Sequence, residues 1–230
     1  RAEGYSEVNE KELAGSQREA WLHVLEEQFP EKKKEEMKIL DIGTGPGFFP
    51  MILSEAGYTV TAVDYTEEML EKAKENLGKY TKYGLERVTL QRMDAQNLEF
   101  ADETFDVVIS RNLTWTLPHP IEAYGKWYAL LKKGGILLNF DAEYAKGAHN
   151  LSLPENKAHN MMSDLLKEEC HDIYHMLSIS ALPRPSWDEE VLRKIGFSYV
   201  SIDQTVGKRI YAEMDEFHIP DAMFGIVARK

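Results

Sequence analysis

The sequence predicts an α/β fold, a mostly parallel sheet covered by helices on both faces. Three observations carry that prediction. Five short runs rich in β-formers alternate with stretches of helical periodicity, joined by short connections. The first run, Ile39-Leu40-Asp41-Ile42, leads straight into Gly43, Gly45 and Gly47 and then into helix-compatible Met51, Ile52 and Leu53. Asp41, Asp64, Asp94 and Ser110 lie at or near the ends of four runs, the edge where open sheets of this kind bind ligands. Glycines at a strand-to-helix turn permit positive φ and let a ligand touch the main chain. The sequence therefore marks a small-molecule cofactor site at that edge.

Each element has its own signal. Residues 1–15 are polar, with Tyr5 their one aromatic. A helix is expected from Ser16 to Phe29: Ser16 and Glu19 have capping-box spacing, Trp21, Leu22, Leu25 and Phe29 share a face, and Pro30 ends it. Strand one is expected at 38–42, with its helix running to about Ala56 and stopped by Gly57. Strand two is expected at 58–63. Thr66 then caps a helix containing Met69, Leu70, Ala73 and Leu77, closed by Gly78. Strand three falls at about 87–93 and strand four at 105–110. Pro120 opens a helix holding Ala123, Trp127, Leu130 and Leu131, placed where its missing N–H does no harm. Gly134-Gly135 turns the chain into strand five, 136–140. The rhythm then breaks over 142–184, which reads as a mainly helical insertion on the ligand side, a candidate lid. Ser186 and Glu189 repeat the capping-box spacing at the start of a helix reaching Gly196, and strands at 197–202 and about 222–228 follow.

Length and composition narrow the class. A chain of 230 residues fits one domain with a full core, 1–230, with 1–30 as an N-terminal helical cap. The net charge of -12 gives no counterion-release term for nucleic acid, so a nucleic-acid partner is not expected. The one dense cationic run, Lys32-Lys33-Lys34, is followed at once by Glu35-Glu36 and reads as a solvated loop. No apolar run is long enough for a bilayer, and no signal-peptide pattern is seen, so no membrane partner is expected. Cys170 is the single cysteine, which excludes an intrachain disulfide and makes a reducing, cytoplasmic setting the expectation. The oligomeric state is open.

Taken together, five segments resemble the class I S-adenosylmethionine-dependent methyltransferases, in their small-molecule branch. They are Ile39 to Gly47, Val63-Asp64-Tyr65-Thr66 with Met69-Leu70, Asp94-Ala95, Asp106 to Ser110, and Leu130-Leu131-Lys132-Lys133-Gly134-Gly135. The match spans 38–140 in order and spacing; the last third matches only in its closing helix and strand pair. The resemblance implies a Rossmann-like, seven-stranded sheet with its last strand antiparallel, and S-adenosylmethionine as cofactor. It also implies roles. Gly43, Thr44 and Gly45 would meet the methionyl end, and Asp64 would accept hydrogen bonds from both ribose hydroxyls. Tyr65 and Met69 would lie against the adenine. Asp94 would accept the adenine amino group, with the Ala95 N–H facing a ring nitrogen. Arg111 and Asn112 would offer main-chain groups to the methionyl amine, and Tyr5 would bring an N-terminal aromatic over the cofactor.

Rival readings set the limits. An acid after strand two also suits a nicotinamide-dependent oxidoreductase, but the third glycine of that fingerprint would fall on Phe48. A catalytically silent S-adenosylmethionine-binding subunit is a further alternative. The stretch from Ser110 to Pro120 lacks the Asn-Pro-Pro-Tyr pattern of nucleobase-amine methyltransferases. Trp115, His119, Asp141 and His149 are the candidates for contact with the substrate, and His119, Asp141, His149 and Tyr5 for a general base; no catalytic residue is assigned. His171 and His175 have a spacing that can hold a metal, yet no third ligand is obvious and none is expected.

Overall fold

The computed structural model describes residues 2–142, 172, 175–211 and 223–230, the side chains of 2–5 apart. Most of the expected lid, with Cys170, His171 and His149, lies outside the described residues. The helices are α1 (Ala2–Ala14), α2 (Gln17–Glu26), α3 (Phe48–Glu55), α4 (Glu67–Tyr80), α5 (Gly84–Arg87), α6 (Pro120–Leu130), α7 (Ser186–Ile195) and α8 (Val206–Ile210). The strands are β1 (Lys38–Ile42), β2 (Thr59–Asp64), β3 (Val88–Arg92), β4 (Phe105–Arg111), β5 (Leu131–Asp141), β6 (Tyr199–Asp203) and β7 (Phe224–Arg229). They form one sheet in the order β3-β2-β1-β4-β5-β7-β6. Only β7 runs against the rest. The expected seven-stranded, doubly covered sheet is the observed one.

Strand burial explains the two layers. Alternate residues of a strand face opposite sides, and here both sides are apolar, as a sheet covered on both faces requires. Leu40, Ile42, Val108 and Leu137 pack with Tyr124 and Trp127 of α6 and Leu192 of α7. Ile39, Val60, Ile109 and Leu138 pack on the other side with Trp21 of α2 and Phe49 and Ile52 of α3. Trp21 meets Phe49 and Phe140 edge-on, with centroids 5.2 and 4.9 Å away. Each such side chain stabilises the fold by about 1.5–3 kcal/mol on burial.

Register places the strand ends side by side. Ile42 of β1 pairs with Ser110 of β4, and Ser110 with Asn139 of β5. The chain order reverses between β1 and β4, so the crevice opens where those two strands end.

Several local expectations need correction. Neither capping box forms. Ser16 is helical and makes no side-chain cap bond. Ser186 lies inside α7 and its Oγ donates back to the Pro183 carbonyl at 2.7 Å. Gly78 does not close α4, which runs on to Tyr80 and ends where Thr81 leaves helical geometry. Strand five begins at Leu131, before Gly134-Gly135, because its start pairs with Phe105 through an irregular register. The polar residues 2–14 form α1, which apolar periodicity could not reveal.

Candidate functional site

Three glycines build the turn after β1. Gly43, Gly45 and Gly47 all have positive φ, at 70°, 52° and 89°. A Cβ at Gly43 would meet Leu113 at 2.8 Å, and one at Gly47 would meet Ala73 at 3.1 Å. At Gly45 nothing lies within 4 Å. An added side chain at Gly43 would strike protein, while the Cβ direction at Gly45 is open.

Asp64, at the end of β2, ties this turn to the next helix. Its Oδ2 accepts the Gly45 N–H at 2.9 Å and its Oδ1 the Thr66 N–H at 3.0 Å. Each carboxylate oxygen keeps further acceptor capacity. The Thr66 side chain makes no cap bond, against expectation; the bond from its N–H to Asp64 fixes the turn ahead of α4 instead. Tyr65 stands 67% exposed on the rim, its carbonyl held by Arg92 Nε at 3.0 Å. Met69, on α4, is half-buried. Asp94 folds its own loop, Oδ1 accepting the Gln96 N–H at 2.9 Å. Ala95 is buried, and its carbonyl accepts Trp127 Nε1 at 2.9 Å.

The floor of the crevice is polar and buried. Thr44 Oγ1 and Ser110 Oγ are buried hydroxyls with no hydrogen-bond partner among the described residues. Asp41, 3% exposed, lies on β1 just before the turn. Burial pushes its carboxyl up to about 7; neighbouring Thr44 and the Arg111 charge resist that, and the Asp64 charge adds to it. Sequence reasoning had noted Asp41 only as a strand-end acid. A carboxyl titrating near neutrality beside a ligand-ready turn is a mark of a functional position.

Arg111 and Asn112, expected to offer main-chain groups, are held by further contacts. The Arg111 guanidinium holds Glu12 of α1 with two bonds of 2.8 Å and stacks on Trp21 and Phe48 at 4.8 and 5.0 Å. Asn112 adopts a positive φ of 54°. Its N–H donates to the Phe140 carbonyl at 2.8 Å, and its carbonyl accepts the Trp115 indole N–H at 3.0 Å.

The substrate candidates separate. Trp115 is half-buried and fixed, its backbone N–H donating to Asp141 Oδ2 at 3.0 Å. His119 is exposed, just ahead of α6, its N–H bonded to Gln96 Oε1 at 2.8 Å. Asp141 is corrected as a general base. It is fully buried and ion-paired with Arg184 Nη1 at 2.8 Å. Arg184 also grips Asp188, which accepts the Tyr124 hydroxyl at 2.6 Å; Tyr124 in turn accepts Asn139 Nδ2, and Asn139 accepts Thr114. This buried chain locks the loop after β4 to β5 and α7. A base so enclosed has no open face toward a substrate. Tyr5 lies on α1, its side chain outside the described set, and His149 lies outside the described residues. His175 is exposed. Among the described residues no group of three or more acidic, His or Cys side chains could hold a metal. No helix among them is long and apolar enough to cross a membrane.

Comparison with known proteins points to methyltransferases. Residues 40–139 match the family model described as a methyltransferase domain. A phosphatidylethanolamine N-methyltransferase of Cereibacter sphaeroides is 36% identical over 99 residues, 43% of this chain and 47% of that protein. A demethylmenaquinone methyltransferase of Leptospira interrogans is 28% identical over 172 residues, 71% of this chain and 68% of that protein. The chain spans about half the length of the first curated relatives it matches. Phosphoethanolamine N-methyltransferase 2 of Haemonchus contortus, solved with S-adenosyl-L-methionine, matches with a TM-score of 0.61 at 21% identity, over 91% of this chain and 51% of that one. An S-adenosylmethionine-dependent methyltransferase of Mesorhizobium loti gives 0.61 at 17% identity, over 95% and 100% of the two chains. The structural likenesses speak for the fold.

Proposed function

We propose that this chain, a member of the class I S-adenosylmethionine-dependent methyltransferases, transfers the cofactor's methyl group to a small-molecule acceptor. The observation that carries the reading is the Asp64 carboxylate bonded to the N–H of Gly45, beside the open space above that glycine. An acid with spare lone pairs next to bare backbone suits a ribose diol joined to an amino-acid tail.

The residues present fit that cofactor. Gly43, Thr44 and Gly45 would hold the amino-acid end, with the orphaned Thr44 hydroxyl as a ready partner. Asp64 would accept the ribose hydroxyls, Tyr65 and Met69 would flank the adenine, and Asp94 and the Ala95 N–H would read its edge. Asn112 and Arg111 shape the turn around the same end, and Tyr5 is retained as an N-terminal contact. When bound, the cofactor supplies an electrophilic sulfonium methyl. The protein's part is orientation of an acceptor for in-line displacement, an effect that supplies about 7–11 kcal/mol in well-aligned reactions. The locked loop carrying Trp115 suits such a wall, and His119 stands at its outer end. An acceptor that is not a macromolecule is supported by the relatives, whose names give phosphatidylethanolamine and demethylmenaquinone.

Titration calorimetry with S-adenosylhomocysteine, followed by incubation of metabolite extracts with methyl-labelled S-adenosylmethionine, tests this. The expected outcome is binding by the wild type and label in a small molecule. Asp64→Ala is expected to weaken binding by about a hundredfold or more, since it removes two hydrogen bonds to a charged group, each contributing about 1.5–3 kcal/mol. Affinity for nicotinamide nucleotides alone would favour the oxidoreductase. Binding with no acceptor in any extract would favour the silent subunit.

A further inference from the structure

Helix α1 buries an unusual set of side chains. Its buried positions are Ser6, Asn9 and Glu12, 2%, 8% and 6% exposed, and their spacing of three residues makes them one stripe. A helix docking on an apolar core would bury apolar residues instead. Buried polar groups require partners, and two of the three have them. Ser6 exchanges hydrogen bonds with Asn76 at 3.1 and 3.3 Å, and Asn76 Nδ2 also donates to the Pro46 carbonyl, inside the glycine turn, at 3.0 Å. Glu12 takes both bonds from Arg111, at the end of β4, and the hydroxyl of Tyr211. So α1 is moored to the turn after β1 on one side and to the end of β4 on the other. Those strands are neighbours at the reversal of strand order.

Asn9 lies between the two moorings. The residue is more than nine-tenths buried, and its amide, not fully sealed from solvent, makes no hydrogen bond to any of the described residues. We infer that Asn9 is a cofactor-binding residue whose amide donates to the carboxylate of the cofactor's amino-acid end; this rests on the reading of the site given above. The ammonium of that end has Asp41 and the Thr44 hydroxyl near the turn. The carboxylate needs a donor, and the guanidinium at the end of β4, Arg111, is engaged by Glu12.

Calorimetric titration of the full chain with two ligands tests this. S-adenosylhomocysteine carries the amino-acid end; 5′-methylthioadenosine lacks it. Alanine is the best helix former, so Asn9→Ala leaves α1 intact. Asn9→Ala is expected to weaken S-adenosylhomocysteine about tenfold, one charge-assisted hydrogen bond. Asn9→Asp, which offers a negative charge and no donor, is expected to weaken it further. Affinity for 5′-methylthioadenosine is expected to be the same in all three proteins. Unchanged S-adenosylhomocysteine affinity in Asn9→Ala would overturn the inference alone. So would an equal loss of both ligands, which would make Asn9 a structural residue. A wild type that binds neither ligand would overturn the cofactor reading and the inference with it.

Discussion

Asp41 and Asp106 sit on neighbouring strands of one sheet and live in opposite circumstances. Asp106, near the start of β4, accepts the Lys38 N–H at 2.8 Å, Lys132 Nζ at 2.9 Å and Lys32 Nζ at 3.0 Å. Burial works against its charge, but these donors overcome it and hold the carboxyl below its ordinary value. Asp41 lies at the other edge, where β1 runs into the glycine turn. There burial prevails, relieved in part by Thr44 and Arg111 and aggravated by Asp64, and the carboxyl rises to about 7. One acid is satisfied by the protein; the other is left with an unmet demand for positive charge. That contrast separates an edge that holds the sheet together from an edge prepared for a cationic ligand.

Breaking the satisfied acid should cause the largest loss of stability. Asp106→Asn is expected to lower unfolding free energy by about 1–3 kcal/mol in denaturant titrations, because two ammonium groups lose their carboxylate. Its affinity for S-adenosylhomocysteine should match the wild type. A loss of affinity without a loss of stability would erase the distinction between the two edges.

The strained acid should respond in the opposite sense. A raised folded-state pKa contributes stability that is present below the unfolded value of 3.8 and lost as pH rises through about 7. Asp41→Asn should therefore be more stable than the wild type at about pH 8, by up to about 4 kcal/mol, and lose that advantage near pH 4. An ammonium or sulfonium entering the crevice favours the ionised form, so binding should release a proton. Wild-type affinity is expected to rise between about pH 5.5 and pH 7.5, and Asp41→Asn should flatten that rise. Equal pH profiles would place the titrating group elsewhere.

The smallest effect sharpens the same contrast. Lys32→Ala removes one of three donors to Asp106 and should cost less than about 1 kcal/mol, as partly exposed ion pairs do. A larger loss would mean that Lys32 carries the cluster.

The sheet and its ligand edge were legible because they rest on local signals. Apolar runs alternate with helical periodicity, and a Gly-Thr-Gly-Pro-Gly turn admits few conformations. Pairings distant in sequence were not legible. Arg184 reaches back 43 residues to Asp141, and that ion pair turns a candidate base into a structural group. Arg111 reaches back 99 residues to Glu12. Helix α1 escaped because its buried stripe is polar, so an apolar periodicity search passes over Ser6, Asn9 and Glu12. The signal was present as three small or acidic residues at a spacing of three. It becomes readable only once the surface beneath the helix is known to be polar.

The central claim is that the turn at Gly45 and the carboxylate of Asp64 together grip an adenosyl amino acid. A crystal structure of the full chain with S-adenosylhomocysteine tests it most directly. The account expects both ribose hydroxyls on Asp64 and the amino-acid tail over Gly45, beneath α1. A ligand seated away from Asp64, or electron density for it nowhere in the crevice, would contradict the account.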